Sequence, residues 1–157
     1  MGMTDIGFAP RSLLYVPGSN ARALEKSKAL PADLIIIDLE DAVPADLKAE
    51  ARIAMRAAIE AGYEGKQIAV RVNATGHEAQ ADDIAALQGL ALDAVVLPKV
   101  DSVEDLAPLR ALGLPIFAMI ETPQGVFAAR DIAADADVAG LIAGLNDLSY
   151  ELKLPDA

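Results

Sequence analysis

Cysteine is absent from this 157-residue chain. That removes disulfides, thiolate nucleophiles, iron–sulfur clusters and cysteine-ligated zinc together, and a reducing cytoplasm is the expected setting. Basic residues are scarce too. Only 13 Lys and Arg stand against 24 Asp and Glu, a formal net charge of −11 with a pI near 4.4. Such a field repels phosphate backbones and anionic membrane surfaces, and no arginine-rich arm offsets it, so neither nucleic acid nor a membrane is expected as a partner. Long hydrophobic runs are missing as well: stretches such as 138–145 fall far short of the roughly 20 residues of a spanning helix. Residues 1–10 have no basic start followed by an apolar run, so they read as an N-terminal tail and not as a signal peptide. Aromatics make up only 4% of a chain that is 54% hydrophobic, which leaves Ala, Leu, Ile and Val to build the core. The only histidine, His77, lies in the polar loop Thr75-Gly76-His77-Glu78. A Ser-His-Asp triad would have to use it, yet no G-x-S-x-G elbow is present.

What the chain does contain is alternation. Short β-branched or apolar runs at 13–16, 34–39, 67–73, 94–100, 115–121 and 138–145 are separated by longer amphipathic, alanine-rich segments at 20–30, 45–61, 78–89, 103–112 and 124–134. Most of the strands are continuous apolar runs, as in parallel sheets covered on both faces. Gly62, Gly65, Gly89 and Gly113 stand where helices should stop. With no linker or low-complexity tract, residues 11–157 read as one α/β domain. Right-handed β–α steps build either a doubly wound sheet or an eight-fold barrel of about 250 residues, which six steps cannot close. The first strand is followed by Pro17-Gly18-Ser19-Asn20 where a dinucleotide fold would have G-x-G-x-x-G.

Polar residues recur at the carboxyl ends of these strands, where α/β folds assemble their sites. Glu121 and Asp147 each end an apolar strand. Two carboxylates completed by water suit Mg²⁺; alternatively Asp147 caps a following helix and Glu121 pairs with Arg71 or Lys99, and spacing alone leaves both open. Asp38 and Glu40 share a face of the second strand, with Asp41 starting the loop, and could hold metal-bound waters. Asp41 or Asp46 could instead cap the next helix, and Asp46 is the one expected to do so. Arg71 could clamp a substrate carboxylate with its planar fork or simply neutralise the acids of strand two. Lys99 could form a Schiff base, though an ion pair is the expected role.

Taken together the motifs are more specific. Arg11-Ser12-Leu13-Leu14-Tyr15-Val16-Pro17-Gly18-Ser19, Asp38-Leu39-Glu40-Asp41-Ala42-Val43, Arg71-Val72-Asn73, Leu97-Pro98-Lys99, Glu121-Thr122-Pro123-Gln124-Gly125 and Gly144-Leu145-Asn146-Asp147-Leu148 follow one another at β–α spacing. In this the sequence resembles the HpcH/HpaI aldolase and citrate lyase beta-subunit family, in its CitE-like branch, from about Arg11 onward. The resemblance implies a (β/α)₈ barrel, of which about six units are present. It implies Mg²⁺ on Glu121 and Asp147, with Glu40 and Asp41 beside the metal's water shell. Arg71 would contact the carboxylate of a keto acid, and Gly18, Ser19, Arg22 and Lys26 would meet the phosphates of coenzyme A.

The implied reaction is reversible carbon–carbon cleavage of a 3-hydroxyacyl-CoA, such as citryl-, malyl- or citramalyl-CoA, into acetyl-CoA and a keto acid. Two other readings stay open: a metal-dependent aldolase on free 2-keto acids, and a truncated, non-catalytic ligand-binding or subunit-type protein. Family members usually continue for about two more β–α units and a segment that often supplies a catalytic aspartate. With the strand edges that this leaves, a homo-oligomer is expected.

Overall fold

The computed structural model describes residues 10–154, so nearly all of the expected tail lies outside the described residues. Six parallel strands stand side by side in sequence order: β1 (Leu13–Pro17), β2 (Leu34–Asp38), β3 (Gln67–Arg71), β4 (Ala94–Leu97), β5 (Ile116–Ile120) and β6 (Val138–Ala143). Helices α1 (Ala21–Ser27), α2 (Lys48–Glu60), α3 (Gln80–Leu87), α4 (Pro123–Ala133) and α5 (Leu145–Glu151) follow all strands but β4, after which the chain forms a 3₁₀ segment, Val103–Leu112. Among the described residues β1 and β6 are the sheet's two edges, and the barrel is not closed.

The strand sequences explain the layering. β2 reads Leu-Ile-Ile-Ile-Asp and is buried throughout; its branched side chains are stiff and suit a pleated surface covered on both sides. Ile35 and Ile37 point to the helical layer, where Ile68, Val70, Val95, Leu97, Ile116 and Ile120 join Met55, Leu87, Leu109 and Ile132 from the connections. Leu34 and Ile36 point the other way, into a smaller cluster with Ala69, Ala94, Val96, Phe117 and Met119 that only strand residues line. By the two-residue period, Asp38 and Arg71 continue this second face toward the rim. The register sets them opposite one another. At the other end of the sheet, carboxylates join consecutive units. Asp33, just ahead of β2, accepts from the amides of Arg11 (2.9 Å) and Ser12 (3.0 Å), and Asp93, just ahead of β4, accepts from the Ile68 amide in β3 (2.7 Å).

Several boundaries depart from expectation. β1 runs one residue further than read, to Pro17, while β2 to β6 stop one to three residues early, because the polar rim residues leave the ladder to meet one another. β4 ends at Leu97, and Lys99 turns into the left-handed region at φ 52°. Asp46 does not cap a helix: a 3₁₀ turn, Ala45–Leu47, runs straight into α2, and neither start has a side-chain cap. The stretch expected as a helix at 103–112 winds as 3₁₀, with Pro108 inside it unable to donate a backbone hydrogen bond. A helix does follow β6, but α5 starts at Leu145, so Asp147 lies inside its first turn and does not cap it, and the apolar run read as strand through Leu145 ends at Ala143.

Candidate active site

The register pair Asp38–Arg71 is the base of the site. Arg71 Nε and Nη2 donate to the two Asp38 oxygens at 2.8 and 2.6 Å, a parallel fork at which both residues are buried. Asp38 also accepts from the amides of Glu40 (2.8 Å) and Ala42 (3.1 Å), so it shapes the loop leaving β2. The outer nitrogen of the guanidinium, Nη1, lies 2.9 Å from Glu40 Oε2 and 3.9 Å from Met119 Sδ, and the Tyr15 ring stacks 5.1 Å away. Burial of Tyr15 pushes its phenol above the ordinary range, opposed by the nearby guanidinium. Arg71 therefore does neutralise the acids of strand two, with Nη1 its outward edge.

Lys99 links this base to the far strands. Its ammonium is 2.6 Å from Glu40 Oε1, 3.7 Å from Asp41 Oδ1 and 3.8 Å from Asp147 Oδ2, while its backbone amide donates to Glu121 Oε1 at 2.8 Å. Glu121 thus pairs with the Lys99 backbone, not with a side-chain cation. Glu40 and Glu121 are 6% and 3% exposed. Burial raises both carboxyls above the usual range, against the hydrogen bonds from Lys99. Burial also disfavours the Lys99 charge, but the Glu40 hydrogen bond and the surrounding acids outweigh it and hold the ammonium protonated beyond its usual range. Glu40 Oε2, though close to Arg71, is the one buried side-chain oxygen among the described residues with no hydrogen-bond donor aligned on it.

Asp147 stands in the first turn of α5, whose N-terminus, Gly144, is uncapped by any side chain. A Cβ on Gly144 would lie 2.4 Å from Glu121 Oε2, so only glycine lets the β6–α5 corner come this close to the carboxylate. Thr122 caps α4 by accepting from the Gly125 amide at 2.9 Å and donates to Asp101, and these bonds set the strand exit from which Glu121 projects. A cleft of about 400 Å³ opens beside the rim between Glu40, Asp41, Lys48, Asn73, His77 and Lys99.

The structure thus brings Arg71, Glu40, Asp41, Glu121 and Asp147 into one network through Lys99. Gly18 abuts the base of the site: its amide donates to Asp38 O at 2.8 Å, and a Cβ there would lie 2.9 Å from Leu39. Arg22 and Lys26 are exposed one turn apart on α1, outside the network. Asn73 lies below the rim, held by Asp83 (2.6 Å) and Leu39 O (3.0 Å). His77 is an exposed loop residue whose Nδ1 accepts from Ala79.

A profile of the HpcH/HpaI aldolase/citrate lyase family matches residues 11–157. The chain belongs to that family. It is 45% identical over 145 residues to the (3S)-malyl-CoA thioesterase of Cereibacter sphaeroides, an alignment covering 90% of this chain and 51% of that protein. Among solved structures it matches the citrate lyase beta subunit of Mycobacterium tuberculosis complexed with oxaloacetate and magnesium, with a TM-score of 0.80 at 33% identity over 92% of this chain and 62% of that one. It also matches CitE of Mycobacterium tuberculosis in complex with magnesium, acetoacetate and coenzyme A (TM-score 0.79, 33% identity, 92% of this chain and 52% of that one). The chain spans about half the length of its malyl-CoA thioesterase relative. The resemblance read from the motifs and the barrel architecture both hold in this aldolase and lyase family. Among the described residues no helix is long and apolar enough to cross a membrane.

Sequence reasoning overlooked Tyr15, Met119, Asp83 and Thr122. Tyr15 and Met119 carry a signal in hindsight, as they share strand faces with the rim acids. Asp83 sits in a helix and nothing local marks it.

Proposed function

We propose that this chain carries the metal- and substrate-binding half of a Mg²⁺-dependent lyase acting on a 3-hydroxyacyl-CoA. The observation that carries this reading is the convergence of Glu121, at the exit of β5, and Asp147, in the first turn of α5, upon one lysine, with Gly144 bare beside Glu121 Oε2. Among the described residues no three His or acidic side chains converge as ready-made ligands, but Mg²⁺ needs only one or two carboxylates with water in the other positions. The donors are hard oxygens, and Glu40 Oε2 beside them is a buried carboxylate oxygen with no aligned hydrogen bond, so the residues fit the ion. Glu121 and Asp147 would hold it, with Glu40 and Asp41 beside its waters. When bound, it would polarise the substrate oxygen that becomes a carbonyl.

The chain's own residues supply the remainder. Arg71, its fork anchored on Asp38, presents Nη1 to the carboxylate of the keto-acid moiety, and stacking on Tyr15 keeps the plane of the guanidinium fixed. Gly18, Ser19, Arg22 and Lys26 meet the coenzyme A phosphates. For malyl-CoA, the hydroxyl loses its proton, the bond between the hydroxyl-bearing carbon and the thioester's α-carbon breaks, and its electron pair leaves on the thioester as an enolate. Protonation of that enolate gives acetyl-CoA beside glyoxylate. A second reading, thioester hydrolysis, is favoured by the 45% identity to a malyl-CoA thioesterase.

Calorimetry with MgCl₂, followed by oxaloacetate, tests the site. Glu121→Gln and Asp147→Asn should each lose Mg²⁺ affinity and Mg²⁺-dependent keto-acid binding while remaining folded. Unchanged affinity in either variant refutes the assignment. Incubation with malyl-CoA then separates the chemistries: glyoxylate marks cleavage, and free thiol marks hydrolysis.

A further inference from the structure

Lys99 has no step in the proposed reaction, yet the rim is arranged around it. Its φ of 52° is one that residues bearing side chains seldom adopt. This conformation turns the amide onto Glu121 Oε1 at 2.8 Å while the ammonium reaches the loop leaving β2 and the first turn of α5. The ammonium's contacts are graded: 2.6 Å to Glu40, 3.7 Å to Asp41 and 3.8 Å to Asp147. The Lys99 side chain is 40% exposed, so charge and not packing sets where the ammonium sits. Glu40 is fixed by burial and by the Arg71 guanidinium, whose Nη1 stands 2.9 Å from its second oxygen. A divalent cation on Glu121 and Asp147 would therefore arrive at one of the ammonium's two long contacts, away from the short one. Like-charge repulsion would drive the ammonium toward Glu40 and Asp41, where its shortest contact already lies.

We propose that Lys99 is a tethered counter-ion: its ammonium competes with a divalent cation for Asp147 and withdraws onto Glu40 and Asp41 when the cation binds, while its left-handed backbone aims Glu121. Lys99 is thus a positioning residue and not a catalytic one. The inference rests on the Glu121–Asp147 metal reading given above.

The test is calorimetric titration of MgCl₂ into the 157-residue chain, Lys99→Met, Lys99→Arg and Glu121→Gln, with each protein melted with and without Mg²⁺. Lys99→Met should bind Mg²⁺ about tenfold more tightly, since the competing charge is gone. Its metal-free form should melt below the parent and recover when Mg²⁺ is added, because a ligand of the native state stabilises that state. Lys99→Arg keeps the charge and should return the affinity to the parent value. Unchanged or weaker binding in Lys99→Met overturns the counter-ion role, and Lys99→Gln decides in the same way should the Met variant not fold. If the parent binds no Mg²⁺, or Glu121→Gln binds it undiminished, the metal reading has failed and this inference falls with it. Loss of binding in Glu121→Gln without tightening in Lys99→Met overturns this inference alone.

Discussion

Arg71 balances acids that have almost no water. Asp38 is 1% exposed and Glu40 6%, and both depend on one guanidinium for a large part of their compensation. Replacing it by methionine keeps most of the stem volume and strands the charges. Arg71→Met should therefore lose about 3 kcal/mol or more of stability, read from urea unfolding. A loss below about 1 kcal/mol would mean that backbone donors alone satisfy Asp38. Lys99 gives the opposite lesson about a charged side chain among acids. Imine chemistry needs a neutral amine, and the Glu40 hydrogen bond with the surrounding acids holds this one charged. Borohydride added with pyruvate should leave the protein's mass unchanged, and a reduced adduct at Lys99 would contradict that.

Elements are held at the rim by close backbone approach. A Cβ on Gly125 would stand 2.5 Å from Val100 O, so the first turn of α4 lies directly on the chain leaving β4. Gly125→Ala should force α4 away, cost about 1–3 kcal/mol and weaken Mg²⁺ binding through Glu121, with Tm and calorimetry as readouts. Much of this architecture was legible in the residues. Continuous apolar runs locate all six strands, and strand-end acids plus the ordered motifs locate the rim, because parallel strands are buried on both faces and polar residues survive only at their ends. The exits were harder to read. Where β4 stops depends on Lys99 adopting a left-handed turn to reach Glu121, a tertiary contact without local sequence signal. Gly144 is an example in the other direction: it reads as a strand residue, while its small size serves Glu121, 23 positions earlier. Arg71 was legible as a charged partner of strand two, but its Asp38 fork only emerges from the register.

At the scale of the molecule, two acids outside the site contribute to stability in a pH-dependent way. Hydrogen bonds from the Arg11 amide and from the hydroxyl and amide of Ser12 hold Asp33 below its ordinary range, and the Arg110 hydrogen bond holds Asp135 below the ordinary aspartate value of 3.8. A depressed folded-state value means that each contribution is complete above the ordinary value and is lost as pH falls through the lower one. Asp33→Asn and Asp135→Asn should thus melt slightly below the parent at pH 7, and the difference should close as pH falls below the ordinary value of 3.8. A gap that persists there would show that shape and not charge is responsible. The edges β1 and β6 leave Leu13, Tyr15 and Leu141 more than a third exposed, and such edges invite pairing. In light scattering the 157-residue chain should weigh more than its 16.3 kDa, and a stable monomer would contradict the expected self-association. The carboxylate clasps at the opposite end of the sheet concern time more than mass. Each strand pairs with its neighbour in sequence, and Asp33 and Asp93 reach back only 21 to 25 residues to fasten it. Pairing therefore need never wait for a distant segment, and loop-closure cost stays small at every step. On a ribosome the sheet can grow from its first strand outward, each emerging unit docking on the one already laid down.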